Sequence, residues 1–424
     1  MKRLLPLSLL LVFLFLFMGC TSTSNLVKGP SVDSSLSLEQ KMEAYDIPKI
    51  SMTYPTIYYD GELWRERVID LISSAEDYVI ISSFLASSSD CLEELYSLIA
   101  HKAEEGIRIY FVVDGTGAFD MTETRFHLIP LQFLRDSGVH LLEYSPMSAS
   151  RLIAGPKMLL RDHRKYLIVD GKHLAVGGMN LNYISIGAAG DHLQRDTMYE
   201  FASPELCEVM LDGFVHWWNL QTWDTVRRED FSIDLDFGKE EDQYTAWYAD
   251  QYPLSDKLAG MFGSLLAEAE VSVKALPFLP FFDEKLLSVF RQTAQRGVEV
   301  QMAIPFDSRV SNRKGIEYMA KDLLTMNIDL RLEKESKKSQ RLLHEKLMIV
   351  DSRYVVVGST NLNYRSFTLA YEISLVIDSP SLAKEMEEHF ASIFEDSLPI
   401  TEEQAESWRR LDNWPRYAFG MIGG

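Results

Sequence analysis

Cysteine is scarce: the 424 residues hold three, Cys20, Cys91 and Cys207, too few for a scaffold built on disulfides. Cys91 and Cys207 are left either to form one bridge in an oxidising compartment or to stay two buried thiols. Positive charge is short as well. Against 62 Asp and Glu stand 42 Lys and Arg, a formal net charge of −20, which argues against a broad nucleic-acid-binding surface because that mode rests on basic side chains neutralising phosphates. Any anionic substrate must be caught by a local basic pocket. Histidine and cysteine show no cluster with metal-ligand spacing, so the sequence predicts neither a metal site nor a cofactor. The apolar run Leu4 to Met18 has 15 residues, short of the roughly 20 that a spanning helix needs.

What is present is ordinary for a globular chain, 46% hydrophobic and 25% charged, at a length suited to about two to three domains. Lys2 and Arg3 precede the apolar run, and Gly19 and Cys20 follow it, the layout of an export signal. Phe-Met-Gly-Cys is similar to a bacterial lipoprotein signal, although Phe17 is not the usual residue three before the cysteine. This predicts a signal peptide over 1–19, lipidation at Cys20, and an exported protein anchored by its lipid to a cell-envelope membrane, with an uncleaved anchor or simple secretion as the alternatives. Removal of 1–19 takes away Lys2 and Arg3 and moves the formal charge from −20 to −22, so the acyl chains and not electrostatics would hold it there. Residues 21–40 contain eight Ser or Thr with one Pro and one Gly, and a flexible tether is expected over 20–50.

Laid against itself, the chain repeats. AEDYVIISSFLA, CLEELYSLIAHKAEEG and IRIYFVVD in residues 75–114 correspond to AEVSVKALPFLP, EKLLSVFRQTAQRG and VEVQMAIP in 269–305: strand, loop, amphipathic helix, glycine, strand. Farther on, HRKYLIVDGKHLAVGGMNLNYIS from 163 is matched by HEKLMIVDSRYVVVGSTNLNYRS from 344. The alternation predicts an α/β fold of two similar domains, 51–228 and 251–400, with a C-terminal tail at 401–424. An acidic linker is expected over 229–250, since residues 229–242 carry seven acids and one lysine.

Both copies place His, Lys, Asp, Gly, Gly or Ser, and Asn at one spacing: His163, Lys165, Asp170, Gly177, Gly178 and Asn180, then His344, Lys346, Asp351, Gly358, Ser359 and Asn361. One such His-x-Lys reads as a half-exposed strand; two with identical spacing do not arise by accident. Residues two apart share a strand face, so each histidine stands beside its lysine and offers a place for a phosphate. Displacing an alcohol from a phosphodiester needs a nucleophile, a proton for the leaving oxygen and positive charge near the other oxygens. Two histidines in opposite protonation states fill the first two needs; Lys165 and Lys346, with Asn180 and Asn361, fill the third without a metal. Asp170 and Asp351 lie seven residues after their histidines, an odd offset that turns them to the other face. With Gly171 and Ser352 following, they read as turn residues.

The doubled motif resembles the signature of the phospholipase D superfamily, over about residues 60 to 400, and is most similar to that of bacterial cardiolipin synthases. LRDSGVHLLEYSP before the first motif, Arg195-Asp196 after it, and RSFTLAYE (365–372) carry the closer likeness. Asn363 and Ala370 depart from it, where Asp and Asn are expected, and so does the want of membrane helices. The resemblance implies two domains, each a mixed sheet flanked by helices in a pseudo-twofold arrangement, and a metal-independent transfer of a phosphatidyl group through a phosphohistidine, with phosphatidylglycerol as substrate. It implies His163 as nucleophile, His344 as acid, and Asp196 and Glu372 as the carboxylates that orient them. Hydrolysis of the same lipid bond, a secreted phosphodiesterase or nuclease, and an inactive lipid-binding lipoprotein stay open as alternatives.

Other stretches bear on the site and the core. Residues 151–165 hold five basic residues and one acid, and 331–346 hold six and three, which suits phosphate attraction at Arg161 and Arg164 and either that or a solvated loop at 333–341. ALPFLPFFDE (275–284) offers Phe278, Leu279, Phe281 and Phe282 either to acyl chains or to the core. Trp217, Trp218 and Trp223 follow a helical apolar pattern and are expected in the core.

Overall fold

The computed structural model describes residues 35–115, 131–146, 159–187, 194–233, 243–307, 309–334 and 342–423. Runs rich in β-branched and aromatic residues, such as YVIISS, RIYFVVD and YVVVG, form strands buried on both faces. One sheet contains β2 (Thr56–Tyr58), β3 (Tyr78–Ser83), β4 (Arg108–Asp114), β5 (His140–Tyr144), β7 (Tyr166–Val169), β8 (His173–Gly177) and β9 (Met198–Phe201), in the order β2-β9-β8-β7-β3-β4-β5. The other repeats that order with β10 (Gln243–Gln251), β11 (Ser272–Pro277), β12 (Glu299–Ile304), β13 (Asp329–Leu332), β14 (Lys346–Val350), β15 (Tyr354–Gly358) and β16 (Ala370–Asp378), as β10-β16-β15-β14-β11-β12-β13. In each, the first three strands of the repeat are parallel and the motif hairpin is antiparallel. The duplication seen in the sequence is thus a duplication of mixed sheets with helices on their faces.

The helix before each second parallel strand, Glu93–Glu104 and Glu284–Gln295, stops where Gly106 and Gly297 turn left-handed, at φ 97° and 89°. A central core joins the inner faces of both sheets to the long helices Pro204–Gln221 and Pro380–Asp396, and Trp217 and Trp218 lie in it. Each of these helices begins with a serine cap, Ser203 or Ser379, followed by proline. The third tryptophan does not follow its neighbours: Trp223 lies beyond the helix end and is fully exposed, because the helical periodicity that buries Trp217 and Trp218 stops at Gln221.

The expected boundaries need correction at three places. Within the segment read as a tether over 20–50, Ser37 and Gln40 form a capping box that starts the helix Leu38–Glu43, Met42 and Tyr45 are buried, and β1 (Lys49–Thr53) pairs with β10. Polar composition hid a short amphipathic helix there. The segment read as a linker over 229–250 includes most of β10, which holds Ala246, Tyr248 and Ala249 in the core between β1 and β16. The segment read as a tail over 401–424 contains the helices Glu402–Trp408 and Trp414–Gly423, fastened to Val310–Leu324 by Arg409, which donates to the Tyr318 carbonyl at 2.9 Å and to Asp322 at 2.6 Å. The signal peptide, Cys20 and the acidic run 234–242 lie outside the described residues. Cys91 and Cys207 are free thiols, half-buried and buried. Among the described residues no helix is long and apolar enough to cross a membrane.

Candidate active site

The two halves exchange backbone at one place. β6 (Arg161–Asp162), which belongs to the first half, pairs in parallel with Ala370 and Tyr371 of β16, and Arg195 forms a matching bridge with Leu343. As a result the His163 N–H donates to the Tyr371 carbonyl at 3.0 Å, and the His344 N–H donates to the Arg195 carbonyl at 2.8 Å. Each histidine is stapled to the residue just before the other half's carboxylate. The side chains follow the backbone: His163 Nδ1 lies 3.0 Å from Glu372 Oε1, and His344 Nδ1 contacts Asp196 Oδ2. The carboxylates that the family likeness implied do meet the imidazoles, and each does so across the halves. With Nδ1 engaged, Nε2 is the ring nitrogen left for a substrate.

The lysines stand behind the rings. Lys165 Nζ donates to the His163 carbonyl at 2.6 Å; Lys346 Nζ donates to the His344 carbonyl and lies 3.7 Å from Asp196 Oδ2. Two aromatic rings cover the imidazoles, Phe84 at 4.8 Å from His163 and Phe278 at 4.2 Å from His344. Phe278 is among the residues named from the sequence and Phe84 is not, yet the signal for Phe84 is there: Phe-Leu occurs at the same place in both copies of the repeat. Phe278, Leu279, Phe281 and Phe282 are all buried in the core of the second half, and Phe278 also walls the site.

The carboxylates are held differently. Glu372 accepts from Ser359 Oγ and, at 2.6 Å, from Ser366 Oγ. Asp196 accepts from the Thr197 N–H at 2.9 Å, and a Cβ on Gly178, the counterpart of Ser359, would collide with it. Gly177 and Gly358 are pressed against the Thr197 and Ile373 carbonyls in the same way. Asn180 Oδ1 accepts from the Leu85 N–H at 3.2 Å, whereas buried Asn361 Oδ1 has no partner among the described residues. Asn363 caps the Tyr364–Thr368 helix by accepting from Ser366 N–H at 2.9 Å, a role that an Asp would fill equally. Ala370 is buried on β16 against β6.

Asp170 and Asp351 stand apart from the reaction groups. Both are left-handed, at φ 53° and 54°, and each carboxylate accepts three consecutive backbone N–H groups, from Glu76, Asp77 and Tyr78 and from Glu270, Val271 and Ser272. Arg161 and Arg164 do not attract phosphate from a surface as expected. Arg161 is buried with Asp114 at 3.1 Å, and Arg164 is buried with Asp162 at 2.6 Å and over the Trp217 and Tyr371 rings. A buried guanidinium needs a carboxylate partner, and these supply it. Most of 333–341 lies outside the described residues; Glu333, within them, accepts from the N–H groups of Phe306 and Leu343 and so anchors the approach to His344.

Burial sets the electrostatics. It pushes both imidazoles down, His163 well below the ordinary range and His344 to about 3, with the lysines adding to the effect. Burial also lowers Lys165 to about 7 and lowers Lys346. Glu372 is raised by burial to about 7. For Asp196 burial pushes up, but Lys346 and His344 outweigh it and the carboxyl is lowered. Among the described residues no group of three or more His, Cys, Asp or Glu is placed to hold a metal ion.

The family model described as "Cardiolipin synthase, PLD-like domain" matches residues 68–218 and 264–394, one copy to each half. The chain belongs to this family. It is an enzyme of the phospholipase D superfamily, similar to cardiolipin synthases. Cardiolipin synthase A of Pseudomonas entomophila (strain L48) is 26% identical over 402 residues, covering 89% of this chain and 76% of that protein. Cardiolipin synthase 1 of Bacillus anthracis is 22% identical over 388 residues, 88% and 73% of the two chains. Among solved structures, phosphatidylserine synthase of Haemophilus influenzae Rd KW20 shares the fold, with a TM-score of 0.68 at 13% identity over 91% of this chain and 99% of that one. In this cardiolipin-synthase-like enzyme, His163–Glu372 and His344–Asp196 are the two His–carboxylate contacts that cross between the halves among the described residues.

Proposed function

We propose that this enzyme transfers a phosphatidyl group between phospholipids, with phosphatidylglycerol as donor and acceptor, through a phosphohistidine. The observation that carries the reading is the pair of buried imidazoles, each fixed at Nδ1 by a carboxylate of the opposite half and backed by a lysine. His163 Nε2 attacks phosphorus and forms the P–N bond while the glycerol oxygen leaves and takes a proton from His344. The acceptor hydroxyl then returns a proton to His344 as its oxygen displaces His163, which breaks the P–N bond. The anionic phosphate offsets Lys165 and Lys346, so the two charges that help hold the imidazoles neutral are relieved when substrate binds. His344 is the ring beside the carboxylate that stays ionised, Asp196, and this favours its imidazolium form and the acid role.

The exported, lipid-anchored location rests on Lys2-Arg3, the apolar run and Cys20. Palmitate labelling tests it: label is expected in the parent and lost in Cys20→Ala, and label that survives the substitution contradicts the anchor. For the reaction, purified protein is incubated without added metal with phosphatidylglycerol, phosphatidylethanolamine and DNA in parallel, and products are identified by mass spectrometry. Cardiolipin with free glycerol is expected. Phosphatidic acid alone would make the acceptor water, and cleaved DNA beside intact lipid would overturn the substrate class.

A further inference from the structure

The residue between His and Lys differs in charge between the two motifs: Arg164 in one, Glu345 in the other. Both side chains are buried. Arg164 is neutralised where it sits by Asp162, with Asp250 3.7 Å away. Among the described residues Glu345 pairs with no Lys or Arg. Its Oε2 accepts from Thr197 Oγ1 at 2.9 Å and its Oε1 meets His389 Nε2 of the helix Pro380–Asp396 at 2.9 Å. Thr197 is the residue whose N–H holds Asp196, at 2.9 Å, and Asp196 holds His344. A chain of contacts therefore runs from the reacting ring through Asp196 to the N–H of Thr197, and from Thr197 Oγ1 through Glu345 to His389, whose side chain is 19% exposed.

We infer that Glu345 is a positioning residue for the proposed transfer: through Thr197 it fixes Asp196 against His344, and its buried charge favours the imidazolium form of that ring, so the pseudosymmetric pair divides into acid and nucleophile. The inference rests on the functional reading above. The groups facing Glu345 and His389 are few. Tyr199 approaches from β9, its hydroxyl 3.1 Å from Thr197 Oγ1. Tyr59 approaches from the N-terminal segment, its ring 4.7 Å from that of His389 and its hydroxyl donated to Glu385 at 3.1 Å. Lys346 opens β14 and His344 lies two residues before it, with Asp196 beyond Thr197. Burial first, and then the Glu345 charge, hold the Tyr199 hydroxyl well above its ordinary range.

The test is the pH dependence of kcat for lipid transfer by the full chain. The rate falls on the basic side where the acid loses its proton, so Glu345→Gln, which keeps an acceptor for Thr197 but removes the charge, is expected to move that limb about one unit lower. A change in kcat with the basic limb unmoved would overturn the charge role. Thr197→Val leaves the charge and breaks the link; kcat is expected to fall several-fold with KM unchanged, and parent-like kcat would overturn the positioning role even if Glu345→Gln fails to fold. An inactive parent would count against the functional reading itself, whereas an active parent with indifferent variants would count against this inference alone.

Discussion

The two imidazoles are alike in spacing and unlike in surroundings. His163 is paired with a glutamate that two serine hydroxyls hold and burial raises to about 7; His344 is paired with an aspartate that stays ionised. Loss of either ring removes nucleophile or acid, so His163→Ala and His344→Ala are each expected to lower turnover by at least about 10³-fold in a lipid-transfer assay. Full activity in either would contradict the two-histidine account. The raised Glu372 also affects stability. A carboxyl whose folded pKa lies above its unfolded value contributes stability below about pH 4.5 that is lost as pH rises through about 7. Relative to Glu372→Gln, the parent should therefore lose up to about 3 kcal/mol between about pH 5 and pH 8 in chemical denaturation. A pH-independent difference between the two proteins would count against this. Both histidines and lysines were legible because the motif occurs twice. The partnership was not: Glu372 is 209 residues from His163 and Asp196 is 148 from His344, and only the fold brings them across.

The turns that close the motif hairpins do structural work at a distance from the chemistry. Asp170 and Asp351 each gather three backbone N–H groups at the start of the first strand of their repeat, locking β7 to β3 and β14 to β11. Hydrogen bonds to a charged acceptor are the stronger kind, and Asp351→Ala should cost about 3 kcal/mol, measured by urea denaturation. Loss of less than about 0.5 kcal/mol would place the stabilisation elsewhere. The odd offset from histidine to aspartate was enough to separate these carboxylates from the reaction. Offset alone could not say what Arg161 and Arg164 do: a cluster of basic residues reads the same whether it faces solvent or, as here, is buried on Asp114 and Asp162. The short helix Leu38–Glu43 and the strand β10 were missed for a related reason: polar neighbours masked a helix of six residues, and the nine-residue β10 follows directly on the acidic run.

The halves are duplicates in topology and interdependent in assembly. β1 precedes the first repeat but completes the edge of the second sheet, and β6 adds to β16 from the opposite half. Residues 251–400 expressed alone would lack β1, β6 and most of β10, and should fail to show a cooperative thermal transition; a sharp one would mean that the halves are separable. The duplication itself was evident from the sequence, and with it the α/β architecture and the shared centre. What could not be read was the crossing of short strands, because pairing of two residues leaves no pattern. The catalytic account depends on that crossing, since neither histidine has its carboxylate within its own half. Its central claim is metal-free phosphatidyl transfer, tested most directly by mass spectrometry of phosphatidylglycerol vesicles incubated with the purified enzyme. The account predicts cardiolipin and glycerol; unchanged phosphatidylglycerol would contradict it.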